Sequence, residues 1–249
     1  MKNQSIAIKI GNFLYNHCFG LYKIIYPVMK NRQDAVEIEL MKSAVNLGDT
    51  VLDIGANIGF FSRLLSLQVG AAGRVYAFEP DAENFAHLKK AVGAHANVSL
   101  TQAAVGDVKG TVTLYRSPML NVDHRTYPID GYLSKSTVES IAVDDFLPAD
   151  TVVRFIKMDI QGFEYMALQG MKNTLMKNVD SLKMIMELWS AGLKKAGASA
   201  LQVVDFLNQC GYRVYLIEGR KLTLLDAGAT AKINDLGEDV YFNVFVKKE

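Results

Sequence analysis

The sequence predicts an open α/β fold, a mostly parallel sheet with helices on both faces. Three observations carry this. Short runs of β-branched and apolar residues alternate with longer segments of helical periodicity along the chain. A glycine-bearing turn, Gly55 to Gly59, stands between the first run and the first helical segment of the alternation. Two late runs, residues 212–217 and 240–246, are separated by turn signals and suit an antiparallel pair. With 249 residues, half of them hydrophobic, the chain can bury a full core, and an open sheet of this size is commonly one domain.

Residues 1–46 read as an N-terminal helical cap. Phe13, Leu14, Tyr15, Phe19, Leu21, Tyr22, Ile24, Ile25 and Tyr26 form an aromatic-rich segment that Pro27 is expected to interrupt. Asp34 can cap a helix in which Ala35, Ile38, Met41, Ala44 and Val45 recur at helical spacing. The cap would pack on the sheet and over the ligand site; an acceptor-binding wall, a dimer contact and a membrane-surface helix are the sharper alternatives.

Residues 47–249 hold the alternation. Strand one is expected over 51–54 with a helix over 58–69, then strand two over 75–79 with a helix to about 93 capped by Asp81. Strand three follows over 98–103. A turn at 107–110 leads to a half-exposed strand at 111–115, and 116–136 is a long irregular insertion. A short strand over 137–143 precedes a helical turn at Asp144 and Asp145. The fourth core strand, 152–158, has its helix over 162–176; the fifth, 182–188, is followed by a loop and a helix over 199–209.

The near-neutral net charge of +1, without a basic tract, gives no reason for nucleic acid or an anionic membrane as an obligatory partner. Cys18 and Cys210 lack metal or redox spacing, which suits a reducing cytoplasm. Lys9 and Asn12 break the first apolar stretch too early for a signal segment. No stretch of about twenty apolar residues offers a membrane span.

The densest information lies in Asp53-Ile54-Gly55-Ala56-Asn57-Ile58-Gly59. A strand, a glycine turn and a helix N-terminus together make a site for a carboxylate or phosphate. A dinucleotide turn would read G-x-G-x-x-G; this loop lacks the middle glycine and sets Asp53 where it would face the diphosphate. S-adenosylmethionine has instead a carboxylate, an ammonium and a sulfonium. Amides from Asn57 to Phe60 could hold the carboxylate while Asp53 attracts the ammonium. Glu79, twenty-six positions on (79 − 53), ends the second strand at Pro80, where an acceptor-only carboxylate can serve two ribose hydroxyls. Ala103 and Ala104 would let an adenine ring approach the third strand, although core packing explains them too. Asp53 and Glu79 could also be plain helix-capping acids.

The loop, Glu79-Pro80 and the block Ile156-Lys157-Met158-Asp159-Ile160-Gln161-Gly162-Phe163-Glu164 together resemble the FkbM-type branch of class I S-adenosylmethionine-dependent methyltransferases over about residues 36–190. The resemblance implies a Rossmann-like, mostly parallel seven-stranded sheet with an antiparallel last strand. It also implies O-methylation of a small-molecule hydroxyl, on a sugar or a secondary metabolite. Gln161 stands where the family more often has Glu, so no role is assigned to it.

Hydroxyl methylation needs the acceptor's proton removed. Asp159, emerging from an apolar strand, is the first candidate base; its alternatives are an N-cap or a partner for Lys157. Glu187 ends the fifth strand in similar surroundings, and the two acids could share a proton or hold a divalent cation. No diagnostic metal-ligand spacing is present. Glu164 is expected to pack or cap. His124, within Asn121-Val122-Asp123-His124-Arg125, is the other candidate, because its ordinary pKa suits proton transfer near neutrality. His17, His87 and His95 lack such company, and His87 is expected at the surface. Trp189 could line an acceptor pocket or cover the sheet edge. A homodimer is compatible with this reading. A nicotinamide oxidoreductase and a non-catalytic nucleoside-binding protein are the rival functions.

Overall fold

The structure, a computed structural model, describes residues 6–117, 124–128, 131–237 and 240–249, without the side chains of 6–9 and 16. The chain opens with three helices, α1 (Ile6–His17), α2 (Phe19–Gln33) and α3 (Ala35–Ala44). There follow β1 (Thr50–Ile54), α4 (Phe60–Val69), β2 (Arg74–Phe78), α5 (Ala82–Val92) and β3 (Val98–Thr101). Next come β4 (Ala104–Val105), β5 (Gly110–Arg116), β6 (Ser134–Ile141), α6 (Val143–Phe146), β7 (Val153–Met158), α7 (Glu164–Gln169) and α8 (Lys172–Lys177). The last part contains β8 (Lys183–Leu188), α9 (Ser190–Lys195), α10 (Ala200–Gln209), β9 (Arg213–Glu218), β10 (Lys221–Leu224), α11 (Ala227–Asn234) and β11 (Phe242–Lys247).

The main sheet runs β10-β9-β11-β8-β7-β1-β2-β3. From β3 to β8 every pairing is parallel, whereas β11 is antiparallel to both β8 and β9. The sheet has eight strands rather than seven, because β10 folds back antiparallel onto β9 as an extra edge. Side-chain alternation along the strands separates two cores. Leu52, Ile54, Phe78, Ile156, Met158, Met184 and Met186 face one side, with α7, α8 and α10. Val51, Val75, Phe155, Ile185 and Phe245 face the other, against Ile38 and Met41 of α3 and Leu65 and Val69 of α4. The strand order turns at β1, which has β2 on one flank and β7 on the other.

Several elements depart from expectation. Strand three stops at Thr101; Ala104 leaves the main sheet and pairs with Ser140 in a second, three-stranded sheet, β4-β6-β5. The insertion is the connection of an antiparallel hairpin, with β5 and β6 in register from Gly110↔Ser140 to Arg116↔Ser134. Pro27 lies inside α2 and does not interrupt it; the break falls at Cys18. The lost amide bond is tolerated because Tyr22 and Tyr26 stack at 5.0 Å and hold that face of the helix. Asp34 stands at the start of α3 without a side-chain cap, since its carboxylate is 2.6 Å from Lys30 Nζ.

The helix expected over 162–176 is split at Gly170, where a Cβ would lie 2.0 Å from the Gly106 carbonyl oxygen. Asp144 N also bonds the Gly170 carbonyl there, at 2.9 Å. Two segments expected to be loops carry helices, α9 and α11. The N-terminal helices lie against α4 and α5: the Tyr15 hydroxyl donates to Asn84 Oδ1 at 2.8 Å and Tyr26 meets Phe60 edge-on. His87 is half-buried rather than a surface residue, stacked under Phe19 at 3.6 Å.

Candidate active site

The carboxyl ends of β1, β2 and β7 are tied together by backbone. Gly55 N and Ala56 N both donate to Phe78 O, at 3.0 and 2.9 Å, and Asp159 N donates to Ile54 O at 3.0 Å. Gly55 has φ +81°, and a Cβ there would sit 2.0 Å from the Asp159 carbonyl oxygen, so only glycine allows the β1 and β7 tips to approach this closely. Gly59, at φ +92°, turns the chain into α4. Between them Asn57 takes the left-handed conformation that asparagine tolerates, φ +51°.

The loop amides are already engaged. Asn57 N donates to Glu79 Oε2 at 2.8 Å, Ile58 N to Asn57 Oδ1 at 2.8 Å, and Gly59 N to Ala56 O at 2.9 Å. The loop therefore satisfies itself at the positions expected to hold a carboxylate, because its tight turn brings acceptors within reach of each amide.

Glu79 is 5 % exposed, and its second oxygen accepts from Asp81 N at 2.9 Å. Burial pushes its pKa up to about 8, against the pull of those two amides; the charges of Asp81 and Asp53 add to the rise. Asp53 is 1 % exposed and turned toward α4, where the Ser62 hydroxyl donates to it at 2.5 Å. Burial raises its pKa to about 6, opposed by Ser62 and Lys157.

These tips border a cleft that is open to solvent. Gly55, Asn57, Glu79, Pro80, Ala103, Ala104, His124 and Asp159 all line it. Asp53, Ala56, Gly59, Phe60 and Glu187 stand outside its wall. One part is apolar, with Phe78, Ala103, Ala104, Val105, Leu114 and Phe163; the polar part includes Glu79, Asn84, Thr126, Asp159 and Gln161. Thr126 Oγ1 is buried at the wall with no hydrogen-bond partner among the described residues. An apolar slot beside a buried carboxylate and an unpaired hydroxyl fits a nucleoside better than an ion.

His124 sits on the Asp81 side, with Nε2 3.9 Å from Asp81 Oδ2, and Ser117 N donates to its Nδ1 at 3.4 Å. Asp81 itself caps α5 and pairs with Arg116 at 3.1 Å. The neighbours Asn121, Val122 and Asp123 lie outside the described residues. Arg125 is held over the Trp189 ring at 4.5 Å and beside the Tyr127 ring at 5.8 Å, and Trp189 packs with Tyr127 and Ala191.

At the opposite end Gln161 joins the two candidate acids. Its Nε2 donates to Asp159 Oδ1 at 2.8 Å and to Glu187 Oε2 at 3.0 Å, and its backbone is strained at φ +56°. Glu164 closes the same loop from beneath, accepting from Ile160 N and Gly162 N, each at 3.2 Å; burial raises its pKa to about 7. Two titratable side chains of α2 are shifted as well. Burial raises the Tyr26 phenol, and the charges of Asp34 and Asp159 raise it further. Burial would lower the Lys30 ammonium, but Asp34, and then Asp159 and Tyr241, push it up. No group of three or more His, Cys, Asp or Glu able to hold a metal occurs among the described residues.

A model of the methyltransferase FkbM domain matches residues 53–214. The chain belongs to this family. The match covers most of the chain and lies within the α/β fold described above. No curated protein matches the sequence. Among solved structures, the FkbM methyltransferase of Methylobacillus flagellatus KT is 18% identical with a TM-score of 0.49. That alignment covers 80% of this chain but 43% of the other, so this FkbM-family chain spans less than half of that protein. A Streptococcus thermophilus rRNA methylase is 12% identical over 85% of this chain and 93% of its own, with a TM-score of 0.50. A Streptococcus mutans protein in complex with SAH is 11% identical over 86% and 97%, with a TM-score of 0.49. At 12% identity the likeness to the rRNA methylase is one of fold. Among the described residues of this FkbM-family chain, no helix is long and apolar enough to cross a membrane.

The family motifs contain Asp53, Glu79 and Asp159, but Gln161, Thr126 and Asn84, which line the cleft, were not expected there. Only Gln161 had a local signal, its place two residues after the strand-end acid.

Proposed function

We propose that the chain methylates a hydroxyl oxygen of a small molecule, a sugar or a secondary metabolite, in the cytoplasm. The observation that carries this is the placing of Asp159: in the cleft wall, at the end of β7, with one oxygen held by Gln161. When bound, S-adenosylmethionine supplies the methyl group from a positively charged sulfur. Glu79 and Thr126 would hold the ribose, and the slot at Ala103, Ala104, Leu114 and Phe163 would hold the adenine. Asn57 and the Gly55 turn would border the amino-acid end. Asp53 then acts from behind, fixing the turn through Ser62.

Asp159 would take the proton of the acceptor hydroxyl, with Gln161 and Glu187 fixing its orientation. The acceptor would lie at the end of the cleft where Asp159 and Gln161 form the wall. His124 lies with Asp81 on the other side and is better placed to position the nucleoside than to act as base. A near-neutral chain gives little phosphate attraction, which supports a small acceptor over RNA.

The test is a labelled methyl-transfer screen over sugars, hydroxylated metabolites and structured RNA, with wild type and Asp159→Asn. The expected result is a methyl ether on a small molecule, with turnover about 10²-fold or more lower in the variant and donor affinity kept. Labelled RNA, or donor binding with no transfer to any hydroxyl, would overturn the reading.

A further inference from the structure

The near-neutral total hides an uneven distribution of charge. Residues 1–33 hold five cations, Lys2, Lys9, Lys23, Lys30 and Arg32, and no Asp or Glu; the remaining 216 residues hold 22 Lys and Arg (27 − 5) against 26 Asp and Glu. The acid-free segment is also where apolar side chains face outward. On α2, Leu21 is 49 % exposed, Ile24 64 % and Val28 60 %, at the three- and four-residue spacing that puts them on one stripe. On α1, Ile10 is 54 % and Phe13 58 % exposed. The opposite face of α2 is spent on packing: Tyr22 is buried, Tyr26 meets Phe60, and Lys30 pairs with Asp34. The outer stripe is therefore not the core-facing side of an ordinary amphipathic helix. It is a second apolar face, continued by the exposed Arg32 four residues after Val28.

We infer that α1 and α2 dock this face onto an anionic bilayer surface. A protein partner or a second copy of the chain would bury apolar side chains equally well, but neither needs a segment, residues 1–33, with cations and no Asp or Glu. An acidic lipid surface attracts each Lys or Arg beside it and accepts aliphatic and aromatic side chains at the headgroup boundary. The helices lie on the surface and do not enter the hydrocarbon as a span, since no described helix is long and apolar enough to cross it. The docking face is separate from the cleft, so its test does not depend on methyl transfer.

The experiment is flotation of the full chain with vesicles of phosphatidylcholine alone, or of phosphatidylcholine with phosphatidylglycerol, at low and high salt. The chain should float with the anionic vesicles, much less with the neutral ones, and less at high salt. The surface double variant Ile24→Ser/Val28→Ser should lose about tenfold or more in vesicle partition, as expected when buried aliphatic side chains are removed. Arg32→Gln should lose roughly fivefold, the equivalent of one cation at such a surface. Circular dichroism and S-adenosylmethionine affinity should be unchanged in both. No flotation with anionic vesicles, or flotation indifferent to Ile24→Ser/Val28→Ser, would overturn the inference. A dimer in light scattering that the double variant abolishes, without vesicle binding, would assign the face to a second copy.

Discussion

Gln161 Nε2 lies 2.8 Å from Asp159 Oδ1, and the same nitrogen reaches Glu187 3.0 Å away. One amide thus stands between two acids on adjacent strand ends and donates to both. Its backbone sits at φ +56°, so glycine should adopt that turn with less strain than glutamine while removing the amide. Gln161→Gly is expected to fold and bind the methyl donor normally but to lose about 10-fold or more in kcat. Gln161→Glu would place three carboxylates together and slow turnover further at neutral pH. Steady-state kinetics beside donor calorimetry separates the two effects; an unchanged kcat in Gln161→Gly would remove the amide from the mechanism.

Because the amide already links the acids, turnover is expected to survive exhaustive chelation with EDTA. Activity lost on chelation and restored by Mg²⁺ or Mn²⁺ would show instead that a cation works between Asp159 and Glu187.

Gly55→Ala should be far more damaging than its size suggests. Its Cβ would press to 2.0 Å from the Asp159 carbonyl oxygen at a φ of +81° that alanine resists. Pushing β1 from β7 there would cost about 3 kcal/mol or more and displace Asp159. Denaturant unfolding should show a lower midpoint with donor binding impaired; a variant as stable as wild type would mean the tips are not as tightly joined as described.

Three buried carboxyls set an unusual pH dependence. Asp53 is raised to about 6, Glu164 to about 7 and Glu79 to about 8, each above its ordinary value. The folded protein keeps protons that the unfolded chain releases, so this contribution is complete in acid below the ordinary carboxyl range. It is lost as pH rises through those folded-state values. Without ligand, Tm should fall between about pH 6 and 8, and Glu79→Gln should flatten the upper part of the fall. A Tm that climbs over that interval would contradict the burial of these groups as neutral acids in an apolar setting.

The cap and the cleft meet at Tyr15 and Asn84, whose side chains bond at 2.8 Å across 69 positions of sequence. Asn84 also lines the cleft. Tyr15→Phe should cost about 1 kcal/mol of stability and weaken donor affinity a few-fold. Equal affinity in the two proteins, by calorimetry, would confine the bond to a structural role.

Features written locally were legible. The glycine turn, the acid at Glu79 and the cap at Asp81 each depend on neighbours a few residues away. Strand alternation also fixes which way Asp53 turns: it shares a face with Val51, toward α4, and the neighbouring Ile54 lines the cleft. The Gln161 bridge to Glu187 spans 26 positions and requires β7 and β8 to be neighbours, which no short-range pattern encodes. Pro27 misled for a related reason: packing by Tyr22 and Tyr26 outweighs one missing amide. Ala104 misled because the chain leaves one sheet for another without a turn residue between them.

Calorimetric titration of the chain and of Glu79→Ala with S-adenosylmethionine is the most direct test of the cleft as the donor site. Saturable binding at one site per chain, displaced by S-adenosylhomocysteine and weakened at least about tenfold in the variant, is the predicted result. Full affinity in Glu79→Ala would place the donor elsewhere on the chain.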